Sequence, residues 1–559
     1  MSDFTQAKRR IEQSTFDEAV KENIEDLEME PNEAIVDAIK QFESQGVDLT
    51  NIDKTGGIGR EEVMVEFDIL KKNKLADINQ NQEELIISLK HLQELCNDTT
   101  HEYGLRNQNM MNSDGGMNAC MDLLNVEQIN INEKGLIVLS ECFKLLTLII
   151  RKNIELRDFF EPGGSKKLIN LLNILINKEE TTKDIIECTK NGMTLCRIAA
   201  RSENNKFKLF EQGGKNVIVT ILQHNDASSL ERSELTSETC LALKSLCVHD
   251  DIRREMSCAM DNGKAFIKAG SLKVLLNLAT SFQKTPDVAS SAMAAAKQLV
   301  TSEEAVVYAS KHGAMTLPLQ VLSWEASPLV LLRSLFGLMR NLCADDNRKS
   351  KLASEDTLPL MVARLSQGEV AGDAVAVEHG FACLAAMSLR CPNNSTRIVK
   401  CGAMDVMVKG MDRHHDKVAL QRQACLTARN IAARCPELRP QLLDAGLESR
   451  LRAAGRYQDS VDEAYGALRD LGCEVTRVKI DVNTGTAIAA VEEFGKTKSA
   501  FKAVYDDTDD IETRVQEEAV APFSVKDIEN MSENQNKVPF TSPSPDHEHS
   551  HAHGEGCGC

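Results

Sequence analysis

Phe266-Ile-Lys-Ala-Gly270-Ser-Leu272-Lys-Val-Leu275-Leu276-Asn-Leu-Ala279 reads as two helical segments joined at a glycine. An apolar pair, Phe266-Ile267, lies just before it, and Leu272, Leu275, Leu276 and Ala279 follow at the spacing of one helical face. Glycine adopts positive φ without a Cβ clash, so it can end one helix and redirect the chain into the next. The arrangement recurs at Phe159-Phe-Glu-Pro-Gly163, Leu209-Phe-Glu-Gln-Gly213, Ala309-Ser-Lys-His-Gly313, Ile398-Val-Lys-Cys-Gly402 and Leu442-Leu-Asp-Ala-Gly446. Asp356 fills the slot once, and Gly115 is a fainter first instance. From Gly115 the steps are 48, 50, 57, 43, 43, 46 and 44 residues. Periods of this size with helices between them mean a helical solenoid, not a string of separate domains.

A second anchor lies about 15 residues before most of these positions. Aligned there, one column is apolar throughout: Leu148, Ile198, Leu246, Leu299, Leu342, Leu389, Ile431 and Leu471. The residue before it is always polar: Thr147, Arg197, Ser245, Gln298, Asn341, Ser388, Asn430 and Asp470. The residue before that is basic in five of eight repeats, at Lys244, Lys297, Arg340, Arg429 and Arg469. One face of a recurring helix is therefore expected to be buried and its neighbour wet. The 57-residue step carries extra sequence from Cys247 to Asn262-Gly263, which reads as a loop.

Charge is unevenly placed along the 559 residues, whose formal net charge is −19. Residues 1–60 hold 7 basic and 14 acidic residues, and residues 481–559 hold 6 and 16. The body between is nearly neutral. That argues against nucleic acid or an anionic membrane as partner, since both need a basic face. Aromatic content of 4% with a single Trp also argues against base stacking. Seventeen cysteines are too sparse for a disulfide scaffold. Met1-Ser-Asp-Phe-Thr-Gln-Ala-Lys-Arg-Arg10 has no apolar leader core, and Leu145–Ile150 is far short of a bilayer span. A reducing setting with free thiols is expected, cytoplasmic and compatible with the nucleus.

The pattern resembles armadillo repeats, three helices per unit with the third lining a concave groove. Ile11-Glu-Gln-Ser-Thr-Phe-Asp-Glu-Ala-Val-Lys-Glu-Asn-Ile24, Glu33-Ala34 and Gln41-Phe-Glu-Ser-Gln-Gly-Val-Asp-Leu49 are similar to the N-terminal segment of the armadillo repeat-containing protein 6 family. Asp250-Asp-Ile-Arg253 and Ala467-Leu-Arg-Asp-Leu-Gly-Cys473 are similar to that family too, so the likeness covers roughly 7–478. The resemblance implies an all-α, right-handed superhelix of about eight repeats and no assigned reaction.

The expected division is an N-terminal helical segment at 1–49, a linker at 50–82, the solenoid at 83–475 and a disordered acidic tail at 476–559. In the first, Phe16, Val20, Ile24 and Leu27 form one apolar stripe and Ile35, Ile39 and Phe42 another. Such a pair is expected to need an external surface, either the first repeat or a partner's groove. The tail ends in His547, His549, His551, His553, Cys557 and Cys559, imidazoles and thiols that could wrap Zn, Ni or Cu without the spacing of a closed structural site.

Catalytic groupings do not stand out, and no cofactor is expected in the array. Thr55-Gly-Gly-Ile-Gly59 follows no strand, His414-His415 sits in a charged turn, and Cys142, Cys240, Cys383 and Cys425 recur on a packing face. The polar column is the one regular surface feature. Any exposed helical face is polar, but this column also suits a peptide groove, with amides clamping an extended backbone and Lys/Arg drawing carboxylates. Residues 390–456 hold 13 basic and 6 acidic residues, suggesting a basic C-terminal half-groove. The expected function is a non-enzymatic scaffold binding an acidic extended segment, with the chain's own tail one occupant. Candidate residues are Lys244, Ser245, Lys297, Gln298, Arg340, Asn341, Ser388, Arg429 and Asn430. A metal-handling role for the tail is one alternative. An import adaptor is another, disfavoured because the place where such adaptors carry Trp holds Met193, Leu241, Ala294, Gly337, Leu384, Leu426 and Gly466.

Overall fold

The computed structural model describes residues 9–475, except 28, 50–51, 53–59, 76–80, 98, 101–103, 126–130, 153, 161–162 and 225–228. Helices α1 (Gln13–Glu25) and α2 (Pro31–Ser44) pack on each other, with the Phe16 and Phe42 ring centroids 6.0 Å apart. Val47, Leu49 and Ile52 close over them, and β1 (Arg9–Arg10) pairs in parallel with β2 (Val47–Asp48). This corrects one expectation. The helix pair buries its stripes in a small core of its own, because the chain after Gly46 folds back to complete it; Leu27 stays exposed.

The linker expectation for 50–82 is also corrected. Helix α3 (Arg60–Leu75) lies within it and belongs to the main core through Val63, Phe67 and Leu70. Those three share one helical face, while Glu, Asp, Lys and Asn on the remaining faces dominate the composition. α3 packs against α4 (Gln82–Leu95) and the short helix Gly116–Leu123.

From α4 onward one long helix per repeat stacks on the next: α5 (Glu133–Lys152), α6 (Lys183–Ala199), α7 (Leu230–Leu246), α8 (Pro286–Leu299), α9 (Leu329–Leu342), α10 (Ala374–Ser388), α11 (Val418–Arg434) and α12 (Val461–Leu471). Shorter helices complete each unit, as in Glu303–Lys311, Gly313 and Leu317–Ser323 before α9. The protein is thus an all-α armadillo-type solenoid. The slot glycines take positive φ, from 81° at Gly115 and Gly402 to 106° at Gly163. Asp356 instead stays helical at φ −88°, so that repeat turns without the left-handed residue.

The apolar column belongs to or packs against one core running through the array, except at Leu389, which falls just past the end of its helix and is only half-buried. Ile198, Leu246, Leu342 and Ile431 are fully buried. Each such side chain contributes about 1.5–3 kcal/mol by leaving water. The insert after α7 is shorter than the sequence suggests: helix Ala259–Lys268 begins inside it, and Asn262 Nδ2 donates to Leu246 O at 2.9 Å.

Candidate functional site

The polar column lies along the ends of the stacked helices, at the seam between repeats. Gln298 Nε2 donates to Cys247 O at 2.9 Å, Asn341 Nδ2 to Lys297 O at 3.2 Å and Asn430 Nδ2 to Ala385 O at 3.0 Å. Each bond reaches back to the preceding long helix or its cap. The amides therefore tie repeats together, a use that a purely wet face would not have. Ser388 is 0% exposed and its Oγ donates to Ala385 O, so it faces inward. Ser245 and Asn341 are half-buried.

The basic column is more concentrated than the sequence suggests, and it sits elsewhere. Lys244, Lys297 and Arg340 occupy consecutive repeats on α7, α8 and α9. Burial pushes the Lys244 ammonium down to about 7, helped by the charges of Lys297, Arg197 and Arg201. Burial also pushes Lys297 down to about 8, with Arg340 adding repulsion and Glu378 opposing it. Arg340 is lowered by burial as well. Lys297 and Arg340 have no ion pair among the described residues, and the Arg340 guanidinium only grazes Asn341 Oδ1 at 3.4 Å. On α10 the column breaks at Met387. His379, about two turns earlier on the same helix, is pushed down to about 3 by burial and then by Lys297. Its Nδ1 lies 2.9 Å from Arg333 O, and a carbonyl can only accept, so the ring is neutral with the proton on Nδ1.

The expected basic C-terminal half-groove disperses. Arg450 pairs with Asp412 at 2.9 Å, Arg422 with Glu463 at 2.9 Å and Arg452 with Glu448 at 2.8 Å. Arg397 and Arg439 donate to the carbonyls of Ala353 and Ala432. On the ladder itself Asp470 sits 3.9 Å from Arg429 and 2.7 Å from Arg469. Charges counted along a segment belong to several helices facing different ways, so the surplus does not accumulate on one face.

Sequence reasoning missed a second charged assembly. Lys206 is 0% exposed; its Nζ donates to Glu203 at 3.0 Å, to Asp250 at 3.1 Å and to Val248 O. Burial opposes its charge, yet Asp250 and Glu203 hold it above the ordinary lysine value. Asp251 accepts from Glu203 N at 3.1 Å and twice from Arg253 at 2.8 Å. Arg253 also reaches Asp158 at 2.7 Å, and Ser202 Oγ donates to the same carboxylate at 2.6 Å. The Asp250-Asp-Ile-Arg253 motif is thus a strap joining three repeats. Its signal was present: paired acids followed by two arginines, Asp250-Asp-Ile-Arg253-Arg254, inside the insert.

The recurring cysteines are structural. Cys142, Cys240, Cys383 and Cys425 are fully buried, and burial pushes the Cys240 thiol up to about 12. Such thiols are inert as nucleophiles. No disulfide joins cysteines among the described residues, and no described helix is long and apolar enough to cross a membrane. His547, His549, His551, His553, Cys557 and Cys559 lie outside the described residues.

The Armadillo repeat-containing protein 6 N-terminal domain matches residues 8–74. An armadillo repeat-containing protein 6 homolog of Drosophila melanogaster is 24% identical over 396 residues, 70% of this chain and 80% of its own length. The armadillo repeat-containing protein 6 of Pongo abelii is 27% identical over 411 residues, and that of Homo sapiens 25% over 412, each covering 70% of this chain and 77% of the relative. Among solved structures, an engineered protein aligns at TM-score 0.45 and 17% identity, over 73% of this chain and 99% of its own. A structure from work on the interaction between cadherin and beta-catenin aligns at TM-score 0.44 and 13% identity, over 68% of each chain. Through this domain and these relatives the chain is similar to the armadillo repeat-containing protein 6 family.

Proposed function

We propose that this chain is a non-enzymatic adaptor whose ladder face holds an acidic, extended segment of another protein. Armadillo-repeat folds as a class are protein-interaction scaffolds. The finer reading rests on one observation: Lys244, Lys297 and Arg340 stand in consecutive repeats, each depressed by burial, with the next cation adding to the repulsion at Lys244 and Lys297. A row of crowded cations is costly alone and is relieved by an anion laid along it. A bound carboxylate would draw the two lysines back toward their protonated forms, so binding takes up protons near neutral pH. Individual contacts would be weak and screened by salt; several in register give selectivity. The tail from 481 to 559, with 16 acidic and 6 basic residues, is proposed as an internal competitor.

The test is calorimetry with a synthetic acidic peptide, residues 506–518 of the chain's own tail, in two buffers of different ionisation heat. Binding with proton uptake at pH 7.5, weakened at least about tenfold by Arg340→Glu, supports the reading. Binding that is unchanged by Arg340→Glu, or that moves no protons, places the binding surface elsewhere. Affinity capture with and without residues 481–559 then reports the competition: removal of the tail is expected to strengthen capture.

A further inference from the structure

Lys244, Lys297 and Arg340 hold equivalent places on α7, α8 and α9, and these helices stack one on the next. Amide bonds beside the cations fix both joints. Gln298 Nε2 donates to Cys247 O at the end of α7, and Asn341 Nδ2 on α9 donates to Lys297 O. The row is bounded: the equivalent places on α6 and α10 hold Cys196 and Met387, both buried. It is also open to a ligand. Lys297 and Arg340 are half-buried, and Lys297 Nζ and Arg340 Nη1 have no hydrogen bond among the described residues, yet neither atom is sealed from water. Lys244, 5% exposed, is the deep end of the row.

Packed helices lie about 8–10 Å apart, so cations on successive repeats are rooted about 9 Å apart. A ligand that meets them all has to present its anions at that interval and on one face. A β-strand does not. Its residues i and i+2 share a face about 6.6 Å apart, i+4 follows at about 13 Å, and i+3 points the other way. An α-helix comes near the interval only at i and i+7, about 10.5 Å apart, and needs roughly 15 residues for three contacts. In polyproline II three residues make one turn and rise about 9.3 Å, so i, i+3 and i+6 share one face at the spacing of the repeats.

We infer that the ladder selects a segment in the polyproline II conformation with carboxylates at every third residue, an inference that rests on reading this face as a site for acidic peptide. Lys297 and Arg340 take the central pair of contacts, and Lys244 takes the third. Within residues 481–559 three acids stand in that register at one place, Asp506, Asp509 and Glu512. That stretch is therefore the part of the tail assigned to compete, and Asp507 and Asp510 between them fall on other faces of the same turn.

The experiment measures binding of fluorescein-labelled peptides to the full chain by anisotropy. Two probes share one composition: Asp-Pro-Pro-Asp-Pro-Pro-Asp, with acids at every third residue, and Pro-Asp-Pro-Asp-Pro-Asp-Pro, with acids at every second. The first is expected to bind at least about tenfold more tightly. Arg340→Glu and Lys297→Met should each weaken it, and the second variant removes a crowded charge, so it keeps the test valid if the first folds poorly. In a peptide of residues 506–512, Asp509→Asn should cost more affinity than Asp510→Asn, although both remove one charge. Equal binding of the two proline probes, or equal losses at residues 509 and 510, overturns the three-residue register and leaves the acidic-peptide reading standing. Binding that survives Lys297→Met, or no binding of any acidic peptide, overturns both.

Discussion

The side chain of Lys297 lies across Gly337 of the next repeat: a Cβ at residue 337 would sit 2.5 Å from Lys297 Cδ. The same relation recurs two cations further on, where a Cβ at Gly466 would meet Arg429 Cδ at 3.1 Å. Glycine on the following helix is what lets a long basic stem lie down in the seam. Gly337→Ala should therefore lift the Lys297 ammonium outward into water. The expected outcome is a Lys297 titration that moves from about 8 toward 10.5, read by NMR of labelled lysine, with a melting temperature within a few degrees of the parent. An unmoved titration would show that the stem has room elsewhere.

Lys244 and Lys297 also set a pH dependence. Their folded values, about 7 and about 8, lie below the ordinary 10.5. Between those limits the unfolded chain holds protons that the folded one has released, so stability rises with pH across that window. Lys297→Met should flatten the rise and stabilise the protein at pH 7 by on the order of 1–3 kcal/mol. Denaturant melts at pH 7 and pH 10 check both statements. A variant less stable than the parent at pH 7 would mean that the charge is better paired than its surroundings indicate.

Lys206→Met should do the opposite. It leaves Glu203 and Asp250 buried without their cation, a loss of about 3–5 kcal/mol. The insert between α7 and helix Ala259–Lys268 loses its anchor at the same time. Limited trypsin digestion is expected to cut the variant at Arg253 or Arg254 while sparing the parent. Equal cleavage of both would show that Arg253 and Asp158 hold the insert unaided.

Leu342→Ala removes a fully buried side chain from the shared core and should cost about 2–5 kcal/mol. Because repeats share interfaces, hydrogen exchange should quicken first in α8, α9 and α10 and not uniformly. A melting curve identical to the parent's would contradict the packing.

How much of this was legible beforehand follows from what periodicity measures. Spacing tells which face of a helix a residue occupies, so the glycine slot and the apolar column were readable, and Leu342 was found by its column alone. Spacing does not measure depth. Asn341 and Asn430 belong to the polar column, yet their amides cross to the neighbouring repeat, because the column runs along the seam between helices. Composition misled at α3, where Arg60-Glu-Glu62 and Lys71-Lys-Asn-Lys74 outnumber the three buried apolar residues that decide its place.

The strap through Lys206, Asp251 and Arg253 gives the array an unequal grain. In a stack held only by neighbour-to-neighbour packing, any joint can open first. Here Asp158, Ser202 and Arg253 are bound across two joints at once, so the segment from Ile154 to Lys268 has to yield as one piece. Stretched from its ends, the molecule would peel from both sides and stop at this rivet, making the middle of the solenoid its last-surviving fragment.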